Sequence, residues 1–348
     1  MKHTKIQWCD DSANPVMGCD GCELWPGPEK IITELMRLII ITCCLPPDTD
    51  IRKAVSAVVG GRATSEIYSD RKAIADQLVA RLKLEKAAAA ALVDVIREAC
   101  KCYAGLLGTM RAAHKGYADS FEQPQLFPGR MAAAAKWGSP SAEERAAKPW
   151  LLNAPRMIFV SDMGDALSGD VPFDYLKREI IDVVTSENGR RHLWLWLSKR
   201  PARMAEFGRW LIKQGIPWPD NLVAMTTVTS QATAGRVAEL RKVPSKFKGL
   251  SCEPVFAELN LDLTGIDWVI MGGGSDVLAE PFHVEWALGL REQCRKFGAA
   301  FFLKQLGKNA MFNGHALGLA NPHGGDWDEW PVTDWRTREI PAGFRTKN

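Results

Sequence analysis

Short apolar segments rich in β-forming residues recur along the second half of the chain, and polar residues follow each one. The segments are Met157–Val160, His192–Leu197, Leu222–Met225, Phe247–Leu250, Trp268–Met271 and Ala299–Leu303, with a further candidate, Thr4–Trp8, near the start. Helical patterns separate most of them, at Phe173–Thr185, Ala202–Gln214, Thr233–Arg241 and Glu285–Phe297. This alternation predicts βαβ units and a parallel sheet, and the continuous apolar strands predict a sheet covered on both faces.

The predicted fold class is therefore α/β, as a partial or complete (βα) barrel. A doubly wound open sheet is the alternative, because a sequence does not show whether a sheet closes. In a βα barrel the functional groups come from the carboxyl ends of the strands. The polar residues of this chain fall at those ends, which makes them the first candidates for a site.

Residues 23–99 do not continue the alternation of strands and helices, because they lack strand patterns. They predict helices at Lys30–Ile41, Ile51–Val59, Arg71–Leu82 and Ala87–Ala99, and residues 104–150 predict an irregular connection. We expect residues 1–22 to form the first strand and the start of a loop, residues 23–99 a helical insertion, and residues 100–348 the rest of that loop and the barrel.

The sequence also indicates the cellular compartment in which the protein is expected. No apolar run approaches the ~20 residues that span a bilayer, and the N-terminus does not resemble a signal peptide. We expect a cytoplasmic protein without a membrane partner. In a reducing compartment the nine cysteines indicate metal or redox chemistry more than disulfides. The net charge of +3 permits a polyanionic substrate without requiring one.

Two cysteine pairs have the spacing of metal ligands. Cys19 and Cys22 lie on a glycine-rich loop, and Cys100 and Cys102 follow the helical insertion. Four thiolates would suit zinc, whereas three on a [4Fe–4S] cluster would leave one iron open for a small molecule. The spacing alone leaves both open. The other cysteines have no partner at ligand spacing and are predicted to be buried as small apolar groups: Cys9, Cys43, Cys44, Cys252 and Cys294.

Several collinear blocks resemble a known family. They are Lys5-Ile6-Gln7-Trp8, Asn14-Pro15-Val16 with Gly18-Cys19 and Gly21-Cys22, Cys102-Tyr103-Ala104, Val160-Ser161-Asp162-Met163, Leu197-Ser198-Lys199-Arg200-Pro201, Leu250-Ser251-Cys252-Glu253-Pro254, Gly272-Gly273 and Phe301-Phe302 with Lys304-Gln305. Together they resemble the phage-associated three-cysteine proteins distantly related to radical-SAM enzymes. Two departures stand out: residues 23–99 separate the second and third cysteines, and Gly274 replaces the glutamate that follows the double glycine.

The resemblance implies a [4Fe–4S] cluster held by Cys19, Cys22 and Cys102, with Cys100 as the rival of Cys22. It also implies S-adenosylmethionine as a cofactor. Candidate cofactor contacts at the strand ends are Ser161, Asp162, Asp165, Lys199, Arg200, Thr227, Thr229 and Gln231. Each of these residues also has a simpler structural interpretation, as a helix cap, a member of a solvated basic cluster or a polar loop residue.

Glu253 and Lys304 are the candidate catalytic residues. Each ends an apolar strand, where a charge is costly to bury unless it is paired or used. They are predicted either to pair with each other across the barrel or to contact substrate and carry a proton. The stretch from Arg190 to Lys213 interleaves basic residues with Trp194, Trp196 and Trp210. This stretch suits a surface that binds nucleic acid. Alternatively, its tryptophans belong to the core and its basic residues form the solvent-exposed face of a helix.

The resemblance further implies an enzyme that acts on a modified thymine in phage DNA, in the host cytoplasm, with an electron donor for the cluster. Its branch suggests an isomerase that converts N-linked glycinyl-thymidine to the form linked through the α-carbon. Two alternatives stay open. One is a radical-SAM lyase that repairs DNA photoproducts, and the other is a zinc-stabilised DNA-binding module that uses Cys19, Cys22, Cys100 and Cys102. The oligomeric state is not predicted.

Overall fold

The computed structural model describes residues 4–42, 45, 49–112, 114–275 and 279–345. Cys43 and Cys44 lie outside these residues. The strands are β1 (Asp11–Ala13), β2 (Val16–Met17), β3 (Gln125–Leu126), β4 (Met157–Val160), β5 (Leu193–Ser198), β6 (Leu222–Thr227), β7 (Lys248–Cys252), β8 (Trp268–Gly272), β9 (Phe282–His283), β10 (Ala300–Gln305), β11 (Ala310–Phe312) and β12 (His315–Ala316).

The described helices lie between these strands along the sequence. They are α1 (Pro28–Thr42), α2 (Ile51–Val59), α3 (Thr64–Ser69), α4 (Arg71–Leu82), α5 (Ala88–Ala99), α6 (Tyr103–Arg111), α7 (Arg130–Ala135), α8 (Ala142–Ala147), α9 (Phe173–Leu176), α10 (Asp182–Thr185), α11 (Pro201–Lys213), α12 (Arg236–Arg241) and α13 (Val284–Phe297). A π-helical turn, Lys177–Ile181, joins α9 to α10. None of the helices in the described ranges combines the length and apolar character needed to cross a membrane.

The chain divides into two compact units that interleave in sequence. Unit 1 contains residues 1–15, 127–162 and 171–348, and unit 2 contains residues 16–126 and 163–170. The chain therefore leaves unit 1 just after β1, returns before β4, and visits unit 2 again briefly after Asp162.

Unit 1 contains a curled, seven-stranded parallel sheet in the order β1-β4-β5-β6-β7-β8-β10, a half-barrel flanked by helices. The predicted α/β class with a parallel sheet is confirmed. The Met157–Val160 strand has its predicted bounds, and the five predicted strands that follow it begin within one residue of theirs. Long continuous apolar runs explain this agreement, because such runs are buried on both faces of a parallel sheet.

The predicted first strand, Thr4–Trp8, is wrong. The strand is β1, which pairs in parallel with β4 so that Asp11 lies opposite Ile158. Residues before it form a loop in which the Lys148 ammonium donates to the carbonyl oxygens of Thr4, Ile6 and Cys9. A lysine side chain, and not a neighbouring strand, thus satisfies the backbone acceptors of this segment.

Alternate residues of the strands pack into one hydrophobic core. Its strand members are Met157, Phe159, Leu193, Leu195, Val223, Met225, Trp268, Ile270 and Phe302, and Trp8 and Cys9 join them from the loop before β1. Because side chains alternate between the faces of a strand, these residues define one inner face. The rings of Trp8 and Trp268 meet edge to face with centroids 6.2 Å apart.

The predicted helical insertion lies in unit 2. Helices α2 and α4 have their predicted bounds, and α1 and α5 differ from prediction by at most two residues at either end. Helix α3 is additional; the Glu66 carboxylate accepts from the Ala63 N–H at its start. Residues 104–150, predicted as irregular, contain α7 and α8 as well as most of α6. These helices were missed because each has fewer than ten residues and too few turns for a clear apolar period.

A buried ion network anchors β1. The Arg156 guanidinium, 3% exposed, pairs with the fully buried carboxylate of Asp11 and with Glu144. Burying Asp11 next to apolar strands requires this partner, because an unpaired interior carboxylate is costly.

We expect Arg156→Met to lower the free energy of unfolding by roughly 3–5 kcal/mol, because it removes the buried charge that pairs with the Asp11 carboxylate. Urea unfolding followed by circular dichroism measures the change. The matched control is Lys177→Met, which breaks the exposed pair with Asp182 and should cost less than about 1 kcal/mol. Equal losses in the two variants would contradict the structural role of the buried pair.

Candidate functional sites in the two units

Cys19 lies on a loop of unit 2 that two glycines hold in place. Gly18 and Gly164 form a parallel bridge, and a Cβ atom at Gly164 would come within 2.5 Å of the Gly18 carbonyl oxygen. Gly18 has a φ of 90°, a conformation that favours glycine. The Cys19 N–H donates to the Phe121 carbonyl at 2.7 Å. The backbone at Cys19 is thus fixed on both sides.

The ends of the helical insertion meet beside Cys22 and Cys102. The backbones of Cys22 and Trp25 exchange two hydrogen bonds, and the Leu24 carbonyl between them accepts from the N–H groups of Lys101, at 2.9 Å, and Cys102, at 2.8 Å. Cys22 therefore lies two residues from the carbonyl that binds Cys102. The insertion separates these cysteines in sequence, but the hydrogen bonds at Leu24 bring their two segments together in the fold.

The Glu122 side chain stabilises the backbone next to this closure by accepting hydrogen bonds. Its carboxylate accepts from the Trp25 indole at 3.0 Å, and from the N–H and hydroxyl of Ser65 at 2.7 and 2.8 Å. The Trp25 ring lies against Gly105, where a Cβ atom would approach to 2.5 Å. Burial raises the pKa of Glu122, but the hydrogen bonds from Ser65 and Trp25 outweigh it and lower the pKa overall.

The cysteines of unit 2 differ in exposure. Cys19 and Cys102 are each 8% exposed, Cys100 is 2% exposed, and Cys22 is half-buried. Burial, with smaller contributions from Glu122 and Cys102, raises the pKa of the Cys100 thiol to about 12. In the described ranges, no three His, Cys, Asp or Glu side chains are grouped so that they hold a metal ion as they stand. The fit of a cluster rests on the thiol donors, which iron–sulfur clusters take, and on the backbone closure.

The remaining described cysteines are core residues, as predicted. Cys9, Cys252 and Cys294 are fully buried, and burial raises the pKa of each thiol.

In unit 1, Ser161 and Asp162 follow β4 directly, and the backbone conformation changes there. Ser161 has a φ of 74°, which is unusual for a residue other than glycine. Asp162 contacts one residue of β1 and one just after it, accepting from Ser12 Oγ at 2.9 Å and from Asn14 Nδ2. The Ser161 hydroxyl is buried and has no hydrogen-bond partner in the described structure. Strain beside an unsatisfied polar atom is typical of binding sites.

Glu253 and Lys304 form the predicted ion pair, with Glu253 Oε1 3.0 Å from Lys304 Nζ. Their side chains are 12% and 22% exposed, respectively. The indole of Trp8 donates to Glu253 Oε2 at 3.2 Å. Gly272, which ends β8 between the two strands, makes room for the carboxylate, because a Cβ atom there would lie 2.8 Å from Glu253 Oε1. The pair therefore spans the inner carboxyl edge of the sheet.

The other predicted cofactor contacts lie in different settings. Thr227 and Thr229 are buried near the end of β6 and just beyond it, whereas Lys199 and Arg200 are half-buried after β5. The exposed side chain of Gln231 donates through Nε2 to the Asn260 carbonyl and accepts through Oε1 from the Asn260 N–H.

Asp165, in unit 2, lies on the segment 163–170, which is hydrogen-bonded to the loop of Cys19. Its N–H donates to the Gly18 carbonyl and its carboxylate accepts from Leu167 N–H. The candidate contacts are thus divided between the two units.

The tryptophans of the predicted nucleic-acid stretch belong mainly to the core. Trp194 and Trp196 are fully buried, and the half-buried Trp210 stacks on Phe207 with ring centroids 5.8 Å apart. The alternative interpretation, that these tryptophans belong to the core, is confirmed for Trp194 and Trp196.

A cavity of about 620 Å³ lies at the opposite, amino-terminal ends of the strands. Its lining includes Phe247, Asp267, Ala300, Glu339 and Arg345. In βα barrels this end contributes stability, while chemistry occurs at the carboxyl ends. We therefore place the candidate site of unit 1 at the inner carboxyl edge and not in this cavity.

Sequence reasoning missed Trp8, Ser12, Asn14 and Gly272 as site residues. Trp8 and Asn14 lie in blocks that carry the family resemblance, but their contacts depend on the curl of the sheet. Gly272 gave a signal as the first of two adjacent glycines at a strand end. Its role as space for a carboxylate needed the structure.

Comparison with known families adds one match. The sequence profile of DUF5131, described as a protein of unknown function, matches residues 93–331. The chain belongs to the DUF5131 family. The matched region includes Cys100, Cys102 and the strands from β4 to β12, and Cys19 and Cys22 precede it. No curated protein and no solved structure matches the chain.

We expect Glu122→Gln to weaken the hydrogen exchange protection of α3 in a pH-dependent way. The pKa of Glu122 is lowered in the folded state, so its stabilisation is fully present above the ordinary value of 4.5. It is lost as the pH falls through the lowered pKa. At pH 7 the charge-assisted bonds should be worth about 1–3 kcal/mol.

The control is Glu85→Gln, at an exposed position between α4 and α5. It should leave the exchange of α3 unchanged at every pH. A difference between wild type and Glu122→Gln that grew on acidification would show that the sign is wrong.

Proposed function

We propose that this DUF5131 protein is a radical-SAM enzyme with a [4Fe–4S] cluster held by Cys19, Cys22 and Cys102. The observation that carries the proposal is the closure at Leu24, whose carbonyl binds the N–H of Cys102 two residues beyond Cys22. Three thiol donors from one loop system suit a cluster with one iron left open. The bulk of α1 to α5 is then an insertion that leaves the ligand set intact.

The cluster and S-adenosylmethionine would together supply a 5′-deoxyadenosyl radical for hydrogen-atom abstraction. The chain's own contribution in unit 1 is an apolar inner face that ends in polar groups. The Ser161 hydroxyl is available as a hydrogen-bond donor, while Asp162 is held by Ser12 and Asn14. The fully buried tryptophan and phenylalanine rings of the inner face keep water away, which protects a reactive species from side reactions.

We propose a modified thymine in DNA as the substrate, with an external electron donor for the cluster. The reaction that the sequence resemblance favours is an isomerisation of N-linked glycinyl-thymidine. The bond between nitrogen and the thymine methylene carbon is lost, and a bond from that carbon to the glycine α-carbon forms. One hydrogen moves from the α-carbon to the nitrogen, so the substrate and product have the same composition.

We expect Cys19→Ala, Cys22→Ala and Cys102→Ala each to abolish iron binding after anaerobic reconstitution, because a cluster needs all three thiolates. Cys100→Ala serves as the matched control and should retain iron. Iron and zinc analysis with absorption spectra before and after dithionite measures the outcome. Loss of the cluster in Cys100→Ala with retention in Cys22→Ala would reverse the assignment, and a colourless protein with one zinc would favour the DNA-binding module.

We further expect transfer of deuterium from the substrate. DNA with N-linked glycinyl-thymine deuterated at the glycine α-carbon is supplied with the reconstituted enzyme, S-adenosylmethionine and reductant. Mass spectrometry should find deuterium in 5′-deoxyadenosine or in recovered S-adenosylmethionine, and a nucleoside of unchanged composition at a new chromatographic position.

Protein lacking the cluster ligand Cys102 is the control and should give neither signal. If glycinyl-thymine stays unchanged while ultraviolet-damaged DNA is repaired, the photoproduct lyase replaces the isomerase. An intact, reduced cluster that never cleaves S-adenosylmethionine, even with both substrates present, would exclude the radical mechanism.

A further inference from the structure

In the Glu253–Lys304 pair, the Glu253 carboxylate is held by neighbouring residues, whereas the Lys304 side chain is partly exposed. Glu253 Oε2 accepts from the Trp8 indole at 3.2 Å, and Ser251 Oγ lies 3.5 Å from the same oxygen. The Trp8 ring is itself immobilised, 2% exposed and packed on Phe159 with centroids 4.7 Å apart. The carboxylate is thus held through Oε2, and Oε1 lies 3.0 Å from Lys304 Nζ.

Lys304 keeps donor capacity. An ammonium group has three N–H donors, and the partner of Lys304 Nζ among the described residues is the Glu253 carboxylate. The Lys304 side chain is also the more exposed of the two, at 22%. Its ammonium lies 3.0 Å from Glu253 Oε1, which itself lies beside Gly272 at the end of β8, so the ammonium lies at the carboxyl edge of the sheet. A ligand that reaches this carboxyl edge can therefore meet a positive group held beside Glu253.

We propose that Lys304 binds the carboxylate of an amino-acid substituent carried by the substrate base, and that Glu253, held by Trp8, is a positioning residue for it. The identity of the substituent rests on the proposed function. Residues that bind DNA phosphates do so from the protein surface, where lysine and arginine track the backbone. An ammonium at the edge of a concave apolar face is better placed for an anion attached to an inserted base.

The test measures recognition without radical chemistry. Single-stranded oligonucleotides carry one N-linked glycinyl-thymine, its neutral carboxamide or unmodified thymine, and their dissociation constants are measured without S-adenosylmethionine or reductant. Wild type should bind the carboxylate about tenfold or more tighter than the carboxamide, as expected for a charge-assisted hydrogen bond. Lys304→Met should bring this ratio close to one without changing affinity for the carboxamide.

Three variants separate positioning from general damage. Lys304→Arg keeps the charge and should restore much of the ratio. Trp8→Phe keeps an aromatic ring but removes the N–H that holds Glu253, so it should lower the ratio partway. Lys308→Met, at an exposed lysine, should leave it at the wild-type value. Circular dichroism and thermal unfolding of each variant show whether the fold is retained.

A wild-type ratio near one, or an equal loss for carboxylate and carboxamide in Lys304→Met, overturns the inference. So does a loss of affinity for unmodified DNA with a reduced salt slope, which would assign Lys304 to a phosphate. The proposed function fails separately: a ratio that depends on Lys304 without any cleavage of S-adenosylmethionine removes the radical enzyme but keeps the carboxylate contact. Cleavage with glycinyl-thymine at a ratio near one does the reverse.

Discussion

Parallel pairing in register is the constraint on which the rest of unit 1 depends. Because paired residues on neighbouring parallel strands share a face, the register that sets Gly249 against Trp268, and Trp268 against Ala300, also sets Ser251 against Ile270 and Ile270 against Phe302. The inner series pass through Ile270 and Phe302, after which the register shifts between Leu303 and Gln305, so that Gln305 pairs with Gly272. Apolar residues fill the depth of the curl and polar ones its carboxyl edge, which is how stabilising and functional residues are divided in βα barrels.

In unit 2 the corresponding constraint is the closure at Leu24. The entropic cost of closing a loop grows only slowly with its length, and the insertion offsets it with a core of its own that includes Ile31, Leu35, Val55 and Leu78, all fully buried. Backbone hydrogen bonds from Lys101 and Cys102 then return the chain to its departure point. An insertion of this kind can be long without separating Cys22 from Cys102.

The success of sequence reasoning followed the range of the interactions involved. Strands β4 to β8 and β10 were predicted closely because a continuous apolar run carries its own signal. Strand β1 was missed because Asp11 is acidic and is buried against Arg156, far away in sequence. The Glu253–Lys304 pair was foreseen as one alternative, since charges at the ends of apolar strands need partners. The contact of Trp8 with Glu253 depends on the curl of the sheet, and the reach of Asp162 depends on the left-handed φ of Ser161, so no local pattern predicts either.

The charge balance of the pair bears on the kind of substrate that unit 1 suits. A lysine and a glutamate that face each other are neutral together, which limits the cost of holding both on an apolar face. A simple anion that bound Lys304 would leave a net negative charge there. An amino-acid substituent brings an amine as well as a carboxylate, so binding it at the pair adds no net charge when the amine is protonated. The same balance disfavours a bare phosphate, and it links the proposed carboxylate contact to a base that carries both groups.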